Sequence, residues 1–232
     1  MSTEQNPILS NPSKTLVLCL PGREYSREFL LSWSNLLFEL IKNNIRPIIS
    51  QNYSSVVHFA RTRCLGGDVL AGENQVPFQG KVTYDYILWI DSDQVFDAKH
   101  VFDLMESPYN VTCGTYLMED VKHLAIVESW NEDFFKKHGT FAFMTPEEAE
   151  KKIKVNGKYF KVAYSGLGFM MIKKGVIEKI KYPWFWTDLQ KIGDCVDMAS
   201  EDVSFCRNIT ATGEEIWVDS STRVGHQKKF VI

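Results

Sequence analysis

The chain has 232 residues, 44% hydrophobic and 13% aromatic, enough to build one full core. Its net charge of -3 and pI near 6.0 give no electrostatic case for binding nucleic acid or an anionic membrane surface. No apolar run approaches the roughly 20 residues a membrane span needs, and the polar stretch from Met1 to Ser13 carries no signal core, so the chain reads as cytoplasmic. The five cysteines (Cys19, Cys64, Cys113, Cys195, Cys206) are scattered without CxxC spacing and read as reduced core residues. Asn52-Tyr53-Ser54, Asn110-Val111-Thr112 and Asn208-Ile209-Thr210 fit the glycosylation pattern, but without a secretory signal they are chance matches.

In chain order, Thr15 to Leu20 is an apolar run of strand length closed by Pro21-Gly22. Ser26 can cap a helix whose apolar positions Phe29, Leu30, Trp33, Leu36, Leu37, Leu40 and Ile41 recur at helical spacing, ending at Asn43-Asn44. Arg46 to Ile49 is a second strand. Ser54-Ser55 can cap a second helix to about Leu65, stopped by Gly66-Gly67. Tyr86 to Ile90 is a third strand, and Asp91-Ser92-Asp93 follows at once. Strand and helix alternating this way predict an α/β sheet of mostly parallel strands covered by helices.

A short helix over Val101 to Met105 and a fourth strand over Val111 to Tyr116 follow. Thr145-Pro146-Glu147-Glu148 is a capping box with proline at the first helical position. Tyr159 to Tyr164 and Phe169 to Ile172 read as strands either side of Ser165-Gly166-Leu167-Gly168. Ser200 caps a helix from Glu201 to about Thr212, Ile216 to Val218 is a final strand, and the polar end carries Gly225-His226. With no repeat or linker, residues 1-232 form one domain.

Ligands of open α/β sheets bind at the carboxyl ends of strands, which is where Asp91 and Asp93 stand. Two carboxylates there suit Mg2+ or Mn2+, and such a metal commonly holds a diphosphate. Glu201 and Asp202 open a helix, where the macrodipole favours acids, and His226 taken singly is a surface histidine.

Asp91-Ser92-Asp93 after a buried strand is similar to the DxD motif of nucleotide-sugar glycosyltransferases of the GT-A fold. Ala163 to Met170 looks like their donor-sugar segment, Ser200 to Cys206 resembles their "ED" motif, and Gly213 to Val218 with Val224-Gly225-His226 resembles their closing strand and metal-ligand histidine. The resemblance covers residues 15 to 226 and implies a GT-A domain with a nucleotide-binding half (14-93) and an acceptor-binding half (94-232). It implies a metal held by Asp93 and His226, with Asp91 on the donor ribose or the metal. Mn2+ is preferred over Mg2+ where imidazole joins carboxylate. Asp202 becomes the general base on an acceptor hydroxyl, giving inversion, and Glu201 holds donor or acceptor hydroxyls. The resemblance also implies a UDP- or GDP-sugar as donor and a glycan or glycoconjugate as acceptor.

Pro21, Gly22, Arg23 and Tyr53 fall at the nucleotide end of the rim. Arg61 either faces the nucleotide or makes a surface ion pair. Ser92 and Ser165 join the donor-binding set. Gly166 and Gly168 either let backbone meet a sugar or make a hairpin turn. Trp184, Phe185 and Trp186 form either an acceptor platform or core. A phosphatase of the haloacid dehalogenase type is the main rival, because Asp91-Ser92-Asp93-Gln94-Val95 resembles its first motif and Gly193 to Asp197 imitates a later acidic one. A nucleotide-sugar-binding module without turnover is the other.

Overall fold

A computed structural model describes residues 12–228. Residues 1–11, which hold most of the polar N-terminal stretch, and residues 229–232 lie outside the described part. The elements in chain order are β1 (Lys14–Pro21), α1 (Arg27–Lys42), β2 (Ile45–Asn52), α2 (Val57–Cys64), β3 (Tyr86–Ile90), β4 (Gln94–Val95), α3 (Ala98–Met105), β5 (Val111–Thr115), β6 (Ile126–Val127) and α4 (Glu132–His138). They continue with α5 (Pro146–Asn156), β7 (Tyr159–Val162), β8 (Tyr164–Ser165), β9 (Phe169–Lys173), β10 (Leu189–Ile192), β11 (Cys195–Met198), α6 (Glu201–Ala211), β12 (Ile216–Arg223) and β13 (Gly225–His226).

The central sheet has seven strands in the order β2-β1-β3-β9-β5-β12-β7. β1 pairs in parallel with β2 and β3, and β5 with β12, while β9 and β7 run against their neighbours, so five of the seven strands point one way. Small antiparallel pairs β10-β11, β13-β4 and β6-β8 stand beside it. This is the α/β class read from the sequence. The first three strands occupy one side of the sheet and the later ones the other.

The sheet is buried on both faces. Val17, Cys19, Ile87, Trp89, Met170 and Ile172 enter one core cluster, and Leu16, Leu18, Leu88, Ile90, Phe169 and Met171 enter the other. Alternate residues of each strand point to opposite sides, so continuous apolar runs are what a doubly covered sheet demands. Burying one such Leu or Ile side chain contributes about 1.5–3 kcal/mol.

Local signals explain most helix boundaries. Ser26 accepts from the Phe29 N–H at 3.0 Å, and Thr145 with Glu148 completes the expected capping box. Ser54-Ser55 does not cap the second helix: its N-cap is Val56, which has no side-chain acceptor. That helix begins later because β2 runs on to Asn52, in register with Pro21 at the end of β1. The last main strand extends to Arg223 rather than ending at Val218, with an irregularity between those residues where it rejoins β5. Ser165 to Gly168 is not a hairpin turn, since β8 pairs with β6 whereas β9 enters the central sheet.

Candidate functional site

The rim is built where β1 and β3, paired in parallel, end together. Asp91-Ser92-Asp93 follows β3 and Gly22 follows β1. A Cβ on Gly22 would stand 2.8 Å from Ser92 Cβ, so the glycine lets the two strand ends approach. Its N–H donates to the Asn52 carbonyl at 3.0 Å, and its carbonyl accepts from the Gln51 side chain. The Arg23 guanidinium lies 5.6 Å from the centre of the Tyr53 ring, and Pro21 ends β1 beside them. A cleft of about 560 Å³ opens here, lined by Arg23, Tyr25, Tyr53, Ser92, Asp93 and Lys228 among others. The residues expected at the nucleotide end therefore do converge.

Asp93 and His226 meet although 133 residues separate them. The β4-β13 pair sets them side by side, with His226 in register with Gln94. Asp93 Oδ2 lies 3.0 Å from His226 Nε2 and also accepts from Lys228 Nζ at 3.0 Å. His226 Nδ1 stands 2.7 Å from the Leu117 carbonyl. A carbonyl only accepts, so Nδ1 carries a proton and Nε2 is the atom turned to Asp93. Burial pulls the His226 pKa down, but the bonds to Asp93 and Leu117 outweigh it and the net shift is upward. Burial likewise pushes Asp93 up, and donation from His226 and Lys228 overcomes it, holding the carboxyl below its ordinary range.

Asp91 faces another partner. Its carboxylate accepts from Arg61 Nη2 at 3.2 Å, and Arg61 Nε donates to Glu201 Oε1 at 3.1 Å. Arg61 is 4% exposed and lies 5.5 Å from the centre of the Trp89 ring. It is therefore no surface ion pair. It is a buried clamp between the end of β3 and the start of α6. Burial raises the pKa of both Asp91 and Glu201, and Arg61 opposes this. Asp91 also does not join Asp93 and His226 in a three-ligand set: among the described residues no three of His, Cys, Asp or Glu are gathered for a metal.

The donors at Asp93 and His226 nonetheless fit a hard divalent ion. A carboxylate oxygen and an imidazole nitrogen on neighbouring side chains are donor types that Mn2+ or Mg2+ accepts. The Leu117 carbonyl holds the proton on Nδ1, so a lone pair on Nε2 becomes available only when the proton shared with Asp93 leaves. Lys228 would be displaced from the same carboxylate oxygen.

Asp202, in the first turn of α6, accepts from Tyr164 Oη at 2.7 Å through Oδ2 and from the Ser200 hydroxyl through Oδ1. Ser200 is the N-cap residue, yet its hydroxyl serves Asp202 and makes no capping bond to the helix. Burial raises Tyr164 well above the ordinary phenol value, and Asp202 adds to it, so Tyr164 remains a donor. Tyr164 and Lys228 have roles that the sequence reading did not assign. Tyr164 lies inside the segment already resembling the donor region, which marked the stretch but not the residue.

Two expectations are corrected, and one open alternative is decided in favour of core packing. Gly166 and Gly168 do not open onto a sugar. A Cβ on Gly166 would fall 2.2 Å from Tyr116 Oη and one on Gly168 2.8 Å from it, and the Gly168 N–H donates to that hydroxyl at 3.1 Å. The glycines make room for a tyrosine. Ser165 is 1% exposed, buried beside them. Trp184 and Phe185, 0% and 2% exposed, are core, with Phe185 stacked on Phe205 at 4.6 Å. Trp186 is half-buried, its indole N–H on Asp188.

The phosphatase reading finds no support here. Asp194 is exposed at the turn between β10 and β11, a pair separate from the central sheet, so it does not join Asp91.

No protein-family model matches the chain, and no curated protein matches it. Among solved structures, A197 from STIV is similar with a TM-score of 0.53 and 22% identity, covering 93% of this chain and 86% of that one. The likeness shows a shared fold. Looser likenesses include GalNAc-T7 with UDP, GalNAc and Mn2+ (TM-score 0.49, 11% identity, 95% of this chain and 45% of that one). Another is glucosyl-3-phosphoglycerate synthase from Mycobacterium tuberculosis with Mn2+, UDP and phosphoglyceric acid (TM-score 0.47, 10% identity, 94% and 72%). Among the described residues no helix is long and apolar enough to cross a membrane.

Proposed function

We propose that the chain is a glycosyltransferase of the GT-A type, moving a sugar from a nucleoside-diphosphate donor to the hydroxyl of a glycan or glycoconjugate. The observation that carries the reading is that two sets meet the carboxyl end of β3: Asp93 paired with His226, and Asp91 joined through Arg61 to the Glu201-Asp202 start of α6. The cleft lined by Arg23, Tyr53 and Ser92 beside Asp93 is the donor site, in the half spanning 14-93.

Asp93 and His226 would hold Mn2+ or Mg2+. When bound, the ion neutralises charge on the departing nucleoside diphosphate. Asp202 is the general base. Ser200 and Tyr164 fix its carboxylate, and Oδ2, with one bond from Tyr164, keeps a lone pair for the acceptor proton. Attack in line from this side gives inversion. Glu201 is a positioning residue: its Oε1 is held by Arg61, so Asp202 is set in place relative to Asp91.

Calorimetric titration with UDP-, GDP-, CMP- and dTDP-sugars, in Mn2+ and then in EDTA, tests this. Binding of one nucleotide class that disappears with EDTA supports the reading. Binding unaffected by EDTA removes the metal from it. Binding without transfer to any hydroxyl acceptor leaves a nucleotide-sugar-binding module.

A further inference from the structure

A second cavity, of about 470 Å³, lies beyond the donor cleft between α4, β10 and α6. That volume falls within the roughly 300–1,000 Å³ typical of small-molecule sites. Trp130, Phe135 and Phe141 give it an apolar floor, with Phe141 packed against both other rings at 5.2 and 5.3 Å. Gln190 and Arg207 form a polar wall, joined by a 2.8 Å bond from Arg207 Nη2 to Gln190 Oε1. Gln190 is 6% exposed, and its Nε2 donor has no partner. An unpaired donor on a buried side chain is unfavourable unless something accepts from it.

The charge on the walls narrows the occupant. Lys191 and Arg207 face the cavity together with Glu132 and Asp188, so the signs balance. A phosphate or other polyanion would meet two carboxylates, and a purely apolar ligand would strand the Gln190 amide. A neutral molecule with an apolar face and many hydroxyls satisfies both surfaces. Saccharides have that chemistry, laying C–H faces on aromatic rings and hydroxyls on planar amide, carboxylate and guanidinium groups.

The position ties the cavity to Asp202. Arg207 is five residues further along α6, about 7.5 Å of helix rise. Tyr164, which donates to Asp202, lies 6.4 Å from Trp130 between ring centres. The Asp188 carbonyl accepts from the Ala199 N–H at 2.7 Å, joining the cavity wall to the start of α6.

We infer that this cavity binds a sugar unit of an oligosaccharide acceptor one or more residues away from the reacting hydroxyl, so that the chain selects acceptors longer than a monosaccharide. The inference rests on the transferase reading for the step it serves, but its binding site is tested without turnover. Glucose, galactose and mannose are titrated into the full chain by calorimetry, each beside its di- and trisaccharide, with no nucleotide or metal present. At least one series should show affinity rising about tenfold from monosaccharide to trisaccharide, the gain of one well-filled subsite. In Arg207→Ala that gain should vanish. Lys191→Trp, at an exposed position on the same wall, fills the cavity mouth without touching α6 and should abolish the gain in a protein whose fold is intact. Affinity independent of length, no saccharide binding at all, or a length gain that survives Lys191→Trp overturns the inference. Trisaccharide binding that Lys191→Trp removes, in a chain that binds no nucleotide sugar with Mn2+, keeps the glycan site and ends the transferase reading.

Discussion

Arg61 Nε donates to Glu201 Oε1 at 3.1 Å, joining helices whose contacting residues lie 140 positions apart. The same guanidinium reaches Asp91, so one buried cation serves two carboxylates. Replacing Arg61 by Met leaves both acids without their cation in a desolvated place. Breaking such an arrangement costs about 3–5 kcal/mol. Urea denaturation of Arg61→Met should show that loss at neutral pH. An unchanged midpoint would mean the clamp contributes nothing.

Asp202→Asn should still bind nucleotide sugar yet lose about 10²–10⁴-fold in transfer, the usual contribution of a positioned base. Tyr164→Phe removes the 2.7 Å bond to the same carboxylate and should lower kcat while leaving donor affinity in place. Calorimetry and initial rates separate the two effects. Wild-type turnover by Asp202→Asn would sink the base assignment.

Lys228 competes with the ion for Asp93. Removing its charge should tighten Mn2+ binding by roughly thirtyfold, or about 2 kcal/mol for a unit charge about 4 Å from a divalent ion at water-like screening. His226→Ala should weaken the same binding. The check is Mn2+ titration followed by electron paramagnetic resonance of Lys228→Met, His226→Ala and wild type. Weaker binding in Lys228→Met would show that the lysine supports the site.

Lys179 and Asn110 hold Glu214 below the ordinary carboxylate range. A depressed folded-state pKa stabilises the fold above the unfolded value of about 4.3, and the contribution is lost as pH falls through the folded value. Glu214→Gln should therefore lower Tm at pH 7 and narrow its gap to wild type below pH 4. Parallel thermal melts from pH 7 to pH 2.5 measure this, and a gap that widens in acid would contradict it.

The sheet was legible because its strands are short apolar runs bounded by Pro, Gly and Asp, and because Ser26 and Thr145 are strong caps. Asp93 and His226, which the structure pairs, were legible as candidates because acids after a buried strand and a lone histidine near the end follow a familiar order. Arg61 was not, since a single arginine on a short helix carries no mark of burial. Its state depends on Glu201, far along the chain. Gly166 and Gly168 misled because a glycine announces close approach without saying what approaches, and here it is Tyr116. The β10-β11 hairpin had a local signal, Ile192-Gly193-Asp194-Cys195, with Gly193 at φ +63° in a two-residue turn. An acidic-motif resemblance hid it.

β9 lies between β3 and β5, hydrogen-bonded to both. The strand that delivers Asp91 and Asp93 therefore has an open edge until the chain has been made through Lys173. An unpaired apolar edge invites pairing with other chains. A polypeptide truncated after residue 93 would lack β9 and expose the β3 edge to aggregation, and two fragments cut there would regain the rim only by reassociating along that edge. The parts of the chain before and after residue 93 are thus pieces of one folding unit, not modules that recombination could exchange.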